Sequence, residues 1–170
     1  MVIDYLANHQ EAIPTLAEWY YEEWRSFSSA RSLEEQAGMI SLRCNVDSLP
    51  LALVALRGDE VLGTVSLKHH ELSVRMSLSP WLSSLYVAPE YRRCGIGTEL
   101  VAEAVARAQG MGLKRLYLFT NRAQSFYERL GWSRVESLNY RLEPIVIMRR
   151  NLVGDRAARL KRLWRQLRVS

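Results

Sequence analysis

The chain has 170 residues, of which 48% are apolar, and this is enough for one globular domain with its own hydrophobic core. No apolar run approaches the roughly 18 residues needed to span a bilayer, and two cysteines are too few for a disulfide framework. The first residues, MVIDYLANHQEAIP, lack the basic and long apolar regions of a secretory signal. We therefore expect a cytoplasmic protein without a membrane span.

The formal net charge of +5 comes from the C-terminal end, because the first 150 residues carry equal numbers of basic and acidic side chains. The sequence DRAARLKRLWRQLR at 155–168 predicts a basic amphipathic helix. We therefore divide the chain into a main domain at 1–150 and this helix at 151–170. The helix is expected to dock on its own domain or on a second subunit, which would make a homodimer. A membrane surface or a nucleic acid is a less favoured partner, since the main domain is neutral.

The N-terminal half predicts one strand, two helices and a hairpin. Ser32 followed by Glu35 is a capping-box pattern that starts the second helix, and this helix should end before Pro50. A polar turn at 57–60 joins the two hairpin strands. The elements are, in order, a strand at Val2–Leu6, a helix at Glu11–Trp24, the helix that begins at Ser32, and strands at Leu51–Leu56 and Val61–Lys68.

The C-terminal half alternates strands with helices after an irregular polar segment. Apolar residues at helical spacing mark the long helix, and glycines follow both predicted helices. The elements are, in order, the irregular segment His69–Pro80, a strand at Leu82–Val87, a helix at Gly97–Gln109, a strand at Arg115–Phe119, a short helix at Gln124–Leu130, and strands at Ser133–Leu138 and Ile145–Arg149.

The segment 82–110 carries the most functional information. Its centre is an R-x-x-G-x-G arrangement from Arg92 to Gly97, placed between a strand and a helix. The first N–H groups of a helix have no intrahelical partner and lie at the positive end of its dipole, so this loop suits a phosphate or pyrophosphate. The dinucleotide fingerprint fails because Leu100 stands where its third glycine belongs, and no Walker loop occurs.

Two segments resemble one family. LYVAPEYRRCGIG at 85–97 is similar to the central strand and pyrophosphate loop of the GCN5-related N-acetyltransferases, and SFYERLGW at 125–132 is similar to a later segment of the same family. The resemblance covers about residues 82–132. It implies an α/β fold with a mixed, mostly antiparallel sheet, splayed central parallel strands and helices on both faces. It also implies acetyl-coenzyme A (acetyl-CoA) as co-substrate and an amine as acceptor.

The resemblance further implies which residues contact the cofactor. Backbone groups of the central strand would bind the pantetheine arm, and the loop would bind the pyrophosphate. The family often has an asparagine seven residues before its tyrosine, whereas here the spacing is six, so Asn121 is either a cofactor contact or a turn residue. The implied cofactor-binding residues are Leu85, Tyr86, Val87, Arg92, Arg93, Cys94, Gly95, Ile96, Gly97, Thr98 and Asn121.

Tyr127 matches the general acid of the family. A phenol of pKa about 10 can protonate a thiolate of pKa about 8.5 at modest cost. The base is open, since no carboxylate occurs in the sequence LSSL at 82–85, where family members often have one. The alternatives are His69, His70, Glu71, or a water relayed through Ser83 or Ser84. No metal is implied.

The sequence therefore predicts an N-acetyltransferase that acts by direct attack in a ternary complex, on a small-molecule or a protein amine. The rival prediction is a catalytically weak module on the same fold that binds coenzyme A or a partner protein. Aromatic residues of the first helix and Trp81 either wall the acceptor pocket or pack in the core. The sequence carries no readable code for the acceptor.

Overall fold

A computed structural model describes residues 1–25 and 29–152, and these form a seven-stranded sheet with helices on both faces. Short 3₁₀ turns lie at Leu6–Asn8, Gln10–Ala12, Ser73–Arg75 and Pro89–Tyr91. The main elements are β1 (Val2–Tyr5), α1 (Ile13–Glu23), α2 (Leu33–Ser41), β2 (Leu51–Arg57), β3 (Glu60–Lys68), β4 (Trp81–Val87), α3 (Ile96–Gly110), β5 (Arg115–Thr120), α4 (Gln124–Arg129), β6 (Ser133–Tyr140) and β7 (Glu143–Asn151).

The strand order is β1-β2-β3-β4-β5-β7-β6, and the β4–β5 pair is parallel while the other pairs are antiparallel. The helix between β4 and β5 is α3, as a parallel connection requires. The predicted fold class, a mixed and mostly antiparallel sheet with central parallel strands, is confirmed.

The two faces of the sheet are covered by different helices. One face packs against α3 and α4 in a cluster that includes Leu53, Val65, Leu100 and Leu118. The other face packs against α1 and α2, through Leu16, Tyr20 and Ile40 among others. A third cluster on this second face, around Trp81 and Tyr117, is closed by Leu72 from the irregular segment. Alternate residues of the strands therefore supply two cores.

The N-terminal helices differ from prediction in their first turns. The helix predicted from Glu11 begins as a 3₁₀ turn at Gln10–Ala12, and α1 starts at Ile13 with Pro14 in its first turn. Ser32 caps α2 as predicted, since its Oγ accepts a hydrogen bond from Glu35 N at 3.1 Å. The second half of the capping box is wrong, because the Glu35 carboxylate accepts from Arg31 N at 2.7 Å instead of from Ser32 N.

The last two strands are longer than predicted. The segment 139–144, expected as a loop, belongs to a β6–β7 hairpin in which Tyr140 pairs with Glu143 across the turn residues Arg141 and Leu142. Both turn residues have positive φ, 49° and 67°, as a tight hairpin turn requires. Neither is glycine or asparagine, so no residue typical of such a turn marks this position in the sequence. β7 runs to Asn151, and the predicted basic helix lies outside the described residues.

The irregular segment 69–80 is attached to the sheet by contacts along its length. Trp81 Nε1 donates to Leu78 O at 2.6 Å, and Leu72 is buried under the sheet. The Arg75 guanidinium makes two hydrogen bonds to the Glu136 carboxylate on β6, at 2.6 and 2.8 Å. In the part of the chain that the structure describes, no helix is long and apolar enough to cross a membrane.

Gly63 on β3 allows close approach of β4. A Cβ atom there would lie 2.7 Å from Tyr86 O and 3.1 Å from Leu100 Cδ1. We expect Gly63→Ala to destabilise the protein by about 1–3 kcal/mol, because backbone must move. Gly38→Ala is the control, since Gly38 lies inside α2 with open space around it, and alanine should stabilise by about 0.5–1 kcal/mol. Urea unfolding measures the free energy of unfolding of both variants. Equal changes in the two variants would contradict the close packing described at Gly63.

The Arg75–Glu136 pair predicts an acid-sensitive stability difference. Arg75 holds the pKa of Glu136 below its usual range, so the pair stabilises the fold above that range and the contribution is lost as pH falls through the lowered pKa. Glu136→Gln should lower the thermal midpoint at neutral pH, and the difference from wild type should vanish at strongly acidic pH. Glu143→Gln, on β7, removes the same charge and keeps the pair. A difference independent of pH would rule out the pair as its cause.

Candidate active site

The central feature of the site is a gap between β4 and β5. The two parallel strands are joined by one register pair, Trp81 with Tyr117, and the described sheet has no further pair between them. Beyond this pair the strands diverge toward their C-terminal ends. Leu85, Tyr86 and Val87 therefore have no β5 partner, and this free edge can accept an extended ligand as an added strand.

A β-bulge shapes β4 at the gap. The β3–β4 register passes from Thr64–Tyr86 to Ser66–Ser83, so Ser84 and Leu85 both lie opposite Val65. Ser84 has a φ of 54°, which is in the left-handed region and is uncommon for a residue other than glycine. Bulges redirect side chains and backbone groups at functional sites. Here the bulge stands at the level where the strands separate.

The glycine-containing loop follows β4 and opens α3. Gly95 is the N-cap residue with φ 84°, Arg93 has φ 64°, and no side chain caps the helix. The N–H groups of Ile96, Gly97 and Thr98 in the first turn are thus available to a ligand at the positive end of a 15-residue helix. The anion site predicted at this loop therefore has free backbone donors, and its occupancy stays a prediction.

The side chains of the loop have different roles from its backbone. Arg92 Nε donates to Val87 O at 3.0 Å, and its Cζ atom lies 5.4 Å from the Tyr86 ring centroid, so this arginine folds back over β4. Ile96 is buried in the core, whereas Arg93, Cys94 and Thr98 are exposed. Among the predicted loop residues, Ile96 and Gly97 can thus contribute only backbone groups.

Gly97 lies where β4, α3 and α4 meet. A Cβ atom at Gly97 would be 3.7 Å from both Phe126 Cζ and Val87 Cγ2. The next residue after Phe126 is Tyr127, whose ring packs edge-on against Phe126 at 5.0 Å and Trp132 at 6.1 Å. Phe126 therefore lies between the start of α3 and the predicted acid Tyr127, and its contacts position both.

The environment of Tyr127 is dry. Only 7% of the residue is exposed, and no described residue forms a hydrogen bond with its hydroxyl. Burial raises the pKa of this phenol well above its ordinary value. Tyr127 is therefore a neutral proton donor across the physiological pH range, and its hydroxyl has no competing protein acceptor among the described residues.

Asn121 lies in the turn that follows β5. Thr120 Oγ1 shapes this turn by accepting from Ala123 N at 2.9 Å and from Arg122 N at 3.3 Å. Because β4 and β5 are parallel, the turn and the glycine-containing loop lie at the same edge of the sheet. The structure brings Asn121 to this edge, where its side chain is exposed and no contact joins it to the loop.

The base candidates lie in two places, the segment after β3 and the bulge of β4. His69 and His70 are exposed, with ring centroids 6.4 Å apart. Glu71 forms an ion pair with Lys68. Ser83 and Ser84 have their Oγ atoms 3.4 Å apart at the bulge, so a relay through these hydroxyls is the alternative nearest to the gap.

Some of the candidate aromatic side chains lie beside the gap, and one packs in the hydrophobic core. Trp81, one candidate for the acceptor wall, is fully buried and belongs to the core. Trp19 and Trp24 of α1 are partly exposed and lie against the Tyr86 ring at 5.0 and 6.0 Å. They cover β4 next to the gap, which agrees with a role in a pocket wall.

The sequence analysis missed Arg43. This residue follows α2 and is 7% exposed, and its Nη1 donates to Ser66 Oγ at 3.0 Å and to Ser84 Oγ at 3.2 Å. No motif or periodicity marks it, because its importance comes from contacts with strands that are distant in sequence. Within residues 1–25 and 29–152, no group of His, Cys, Asp and Glu side chains could hold a metal ion.

Comparison with known proteins agrees with this arrangement. The sequence model of the Acetyltransferase (GNAT) family matches residues 13–132, well over half of the chain. A curated relative, an amino-acid acetyltransferase of Pseudomonas paraeruginosa, is 42% identical over 59 residues. The aligned stretch is 34% of this chain but only 14% of that relative's length.

Two solved structures share the fold. An aminoglycoside 6'-N-acetyltransferase complexed with coenzyme A has a TM-score of 0.73 at 19% identity, covering 91% of this chain and 98% of that one. The yncA protein of Salmonella typhimurium, solved with its cofactor acetyl-CoA, has a TM-score of 0.68 at 15% identity, covering 89% and 94%. These likenesses concern the fold, and the family match covers both the glycine-containing loop and Tyr127. The chain belongs to the GNAT acetyltransferase family.

Proposed function

We propose that this protein is an acetyl-CoA-dependent N-acetyltransferase whose acceptor is a primary amine. The observation that carries the proposal is the β4–β5 gap, which leaves the edge of Leu85–Val87 open directly before an uncapped helix N-terminus. An extended pantetheine arm and a pyrophosphate require this pair of features in this order. Acetyl-CoA would supply an activated acetyl thioester.

The chain's own residues would bind and orient this co-substrate. Backbone groups of Leu85, Tyr86 and Val87 would pair with the pantetheine amides, and N–H groups from Arg93 to Thr98 would bind the pyrophosphate. Arg92 would act through Val87, by holding the loop against the strand. Asn121, at the same edge of the sheet, would be a further cofactor contact.

The reaction would be a direct transfer in a ternary complex. A bond forms between the amine nitrogen and the acetyl carbon, and the carbon–sulfur bond breaks. The amine would give its proton to a water relayed through the Ser83 and Ser84 hydroxyls, and the thiolate gains a proton. Tyr127 would donate the proton to the thiolate. The dry surroundings that raise the pKa of the phenol also disfavour the thiolate, so the transfer remains feasible although the phenol is a weak acid.

The names of the relatives do not identify the acceptor of this protein. One relative is named for amino acids and one structural neighbour for aminoglycosides, so proteins of similar sequence or fold serve different amines. The sequence relative also aligns over only a small part of its length. The proposal is therefore limited to an amine, and a cytoplasmic location remains part of it.

Cofactor binding is tested with a pair of matched glycine variants. Gly97→Glu places a carboxylate at the start of α3, between Val87 and Phe126, and should abolish acetyl-CoA binding in calorimetry. Gly110→Glu adds the same charge at the other end of α3, where a side chain meets open space, and should bind normally. If wild type does not bind acetyl-CoA, the proposal fails.

The acid role is tested with Tyr127→Phe. We expect turnover to fall by about 10²–10⁴-fold with acetyl-CoA affinity unchanged, because positioned proton transfer contributes that much. Tyr5→Phe is the control, since Tyr5 lies on β1, three strands from β4. Thiol release against an amine panel measures turnover. Full activity of Tyr127→Phe would exclude the acid role, and binding without turnover in wild type would favour the non-catalytic module.

A further inference from the structure

A polar strip crosses the α1/α2 face of the sheet at the gap. Thr64, Ser66 and Lys68 alternate along β3 and therefore share one face, and Ser83 lies directly opposite Ser66 on β4. The strip separates the apolar cluster under α1 and α2 from the cluster around Trp81 and Tyr117. It lies on the opposite face of the sheet from α3 and Tyr127.

Arg43 is a buried cation above this strip, and it lacks a carboxylate partner among the described residues. It is 7% exposed, and its contacts are the hydroxyls of Ser66 and Ser84 and the ring of Tyr20, whose centroid lies 5.4 Å from Cζ. Hydroxyls and a ring do not neutralise a guanidinium. A buried charge without a counter-charge is costly in a folded protein, and such a charge points to an anionic ligand.

The neighbouring charges do not supply the missing anion. Lys68, two residues after Ser66, forms an ion pair with Glu71. Burial lowers the pKa of Lys68, the Glu71 carboxylate raises it in part, and the positive charge of Arg43 lowers it again, so Arg43 and Lys68 are electrostatic neighbours. The group therefore contains two cationic side chains and one carboxylate.

The free donors of Arg43 suit a carboxylate. Its Nη1 is used by the two serines, while Nε and Nη2 form no hydrogen bond to any described residue. These two nitrogens are not among the unpaired polar side-chain atoms that are fully sealed from solvent, although the residue as a whole is 7% exposed. Nε and Nη2 form one edge of the planar guanidinium, which is the geometry that binds a carboxylate through two parallel hydrogen bonds.

The backbone around Arg43 is fixed. Arg43 N donates to Ile40 O at 2.8 Å, and Arg43 O accepts from Ala52 N at 3.0 Å, so the residue is anchored to both α2 and β2. Its side chain reaches Ser84, the bulge residue at the level of the gap. An anion bound by Arg43 would thus lie next to the strand that is proposed to hold the thioester.

We propose that Arg43 binds the carboxylate of the acceptor, and hence that the acceptor is an amine that also carries a free carboxylate, such as an amino acid. This inference rests on the proposed acetyltransferase function and narrows its substrate class. The carboxylate on Nε and Nη2 would fix the acceptor at the bulge. The Lys68–Glu71 ion pair is neutral overall and so leaves the positive charge of Arg43 to the ligand.

The test compares each acceptor with its own uncharged analogue. The standard L-amino acids and their carboxamides are assayed with acetyl-CoA, and the ratio of kcat/KM for acid over amide is measured for wild type, Arg43→Gln and Arg43→Lys. We expect wild type to prefer acids and Arg43→Gln to lose about 30-fold or more of this preference. Arg43→Lys should keep part of it, because the charge remains but the fork is lost.

The controls separate recognition from structure. Ser66→Ala removes one partner of Arg43 without removing the charge, and it should retain the acid preference. A purely structural role would lower activity toward acid and amide equally, and that result would overturn the inference. Weaker acetyl-CoA binding by Arg43→Gln with an unchanged ratio would also overturn it, by assigning Arg43 to the cofactor. If Arg43→Gln does not fold, the ratios for wild type and Arg43→Lys decide.

A binding measurement covers the case in which no acceptor in the panel turns over. The same amino acids are added to the complex with coenzyme A, and thermal stabilisation is compared between wild type and Arg43→Lys. Stabilisation of wild type by acids but not by amides would support the inference. Intact acetyl-CoA binding with no response to any acid would overturn the inference and leave the proposed cofactor function standing, whereas loss of acetyl-CoA binding would remove both.

Discussion

The separation of β4 from β5 is the constraint on which the rest of this structure depends. A sheet normally satisfies every interior backbone group through its neighbours, and here one register pair, Trp81 with Tyr117, is all that joins the two central strands. The sheet holds together around the opening because α3 and α4 pack on one face while α1, α2 and the segment 69–80 pack on the other. The bulge at Ser84 and the small Gly63 then let β4 stay close to β3 while it leaves β5.

The two regions proposed to bind anions lie on either side of this opening. The start of α3 presents backbone N–H groups without a side-chain cap, and Arg43 presents a guanidinium without a carboxylate among the described residues. The first is a property of the backbone and the second of one side chain. A transfer reaction between two ligands requires such a division, because the ligands must enter from separate directions and meet at one strand.

The parts of the site that are made by backbone could be predicted from the sequence, because positive φ angles and close approach of two segments favour glycine. Gly95 at φ 84° and Gly97 beside Val87 and Phe126 mark the loop, and the spacing to Tyr127 marks α4. The β6–β7 turn was missed since Arg141 and Leu142 take positive φ without the usual residues. Ser84 in the bulge was missed for the same reason. For Trp81 the sequence leaves a pocket wall and the core as alternatives, and packing against Leu72 and Tyr117 assigns it to the core.

Recognition of the acceptor could not be predicted in this way, and the reason is physical. Arg43 becomes informative only when α2 brings it over Ser66 and Ser84, which are 23 and 41 residues away in the chain. An arginine after a helix is ordinarily a solvated charge that assists the C-terminal end of the helix dipole. Its burial against hydroxyls, close enough to Lys68 to lower the pKa of that lysine, arises only in the folded chain. In the proposed complex the cofactor would be held mainly by backbone and the acceptor by side chains from separate elements. A loop motif can therefore predict a cofactor, whereas an acceptor contact of this kind can be recognised only in the folded chain.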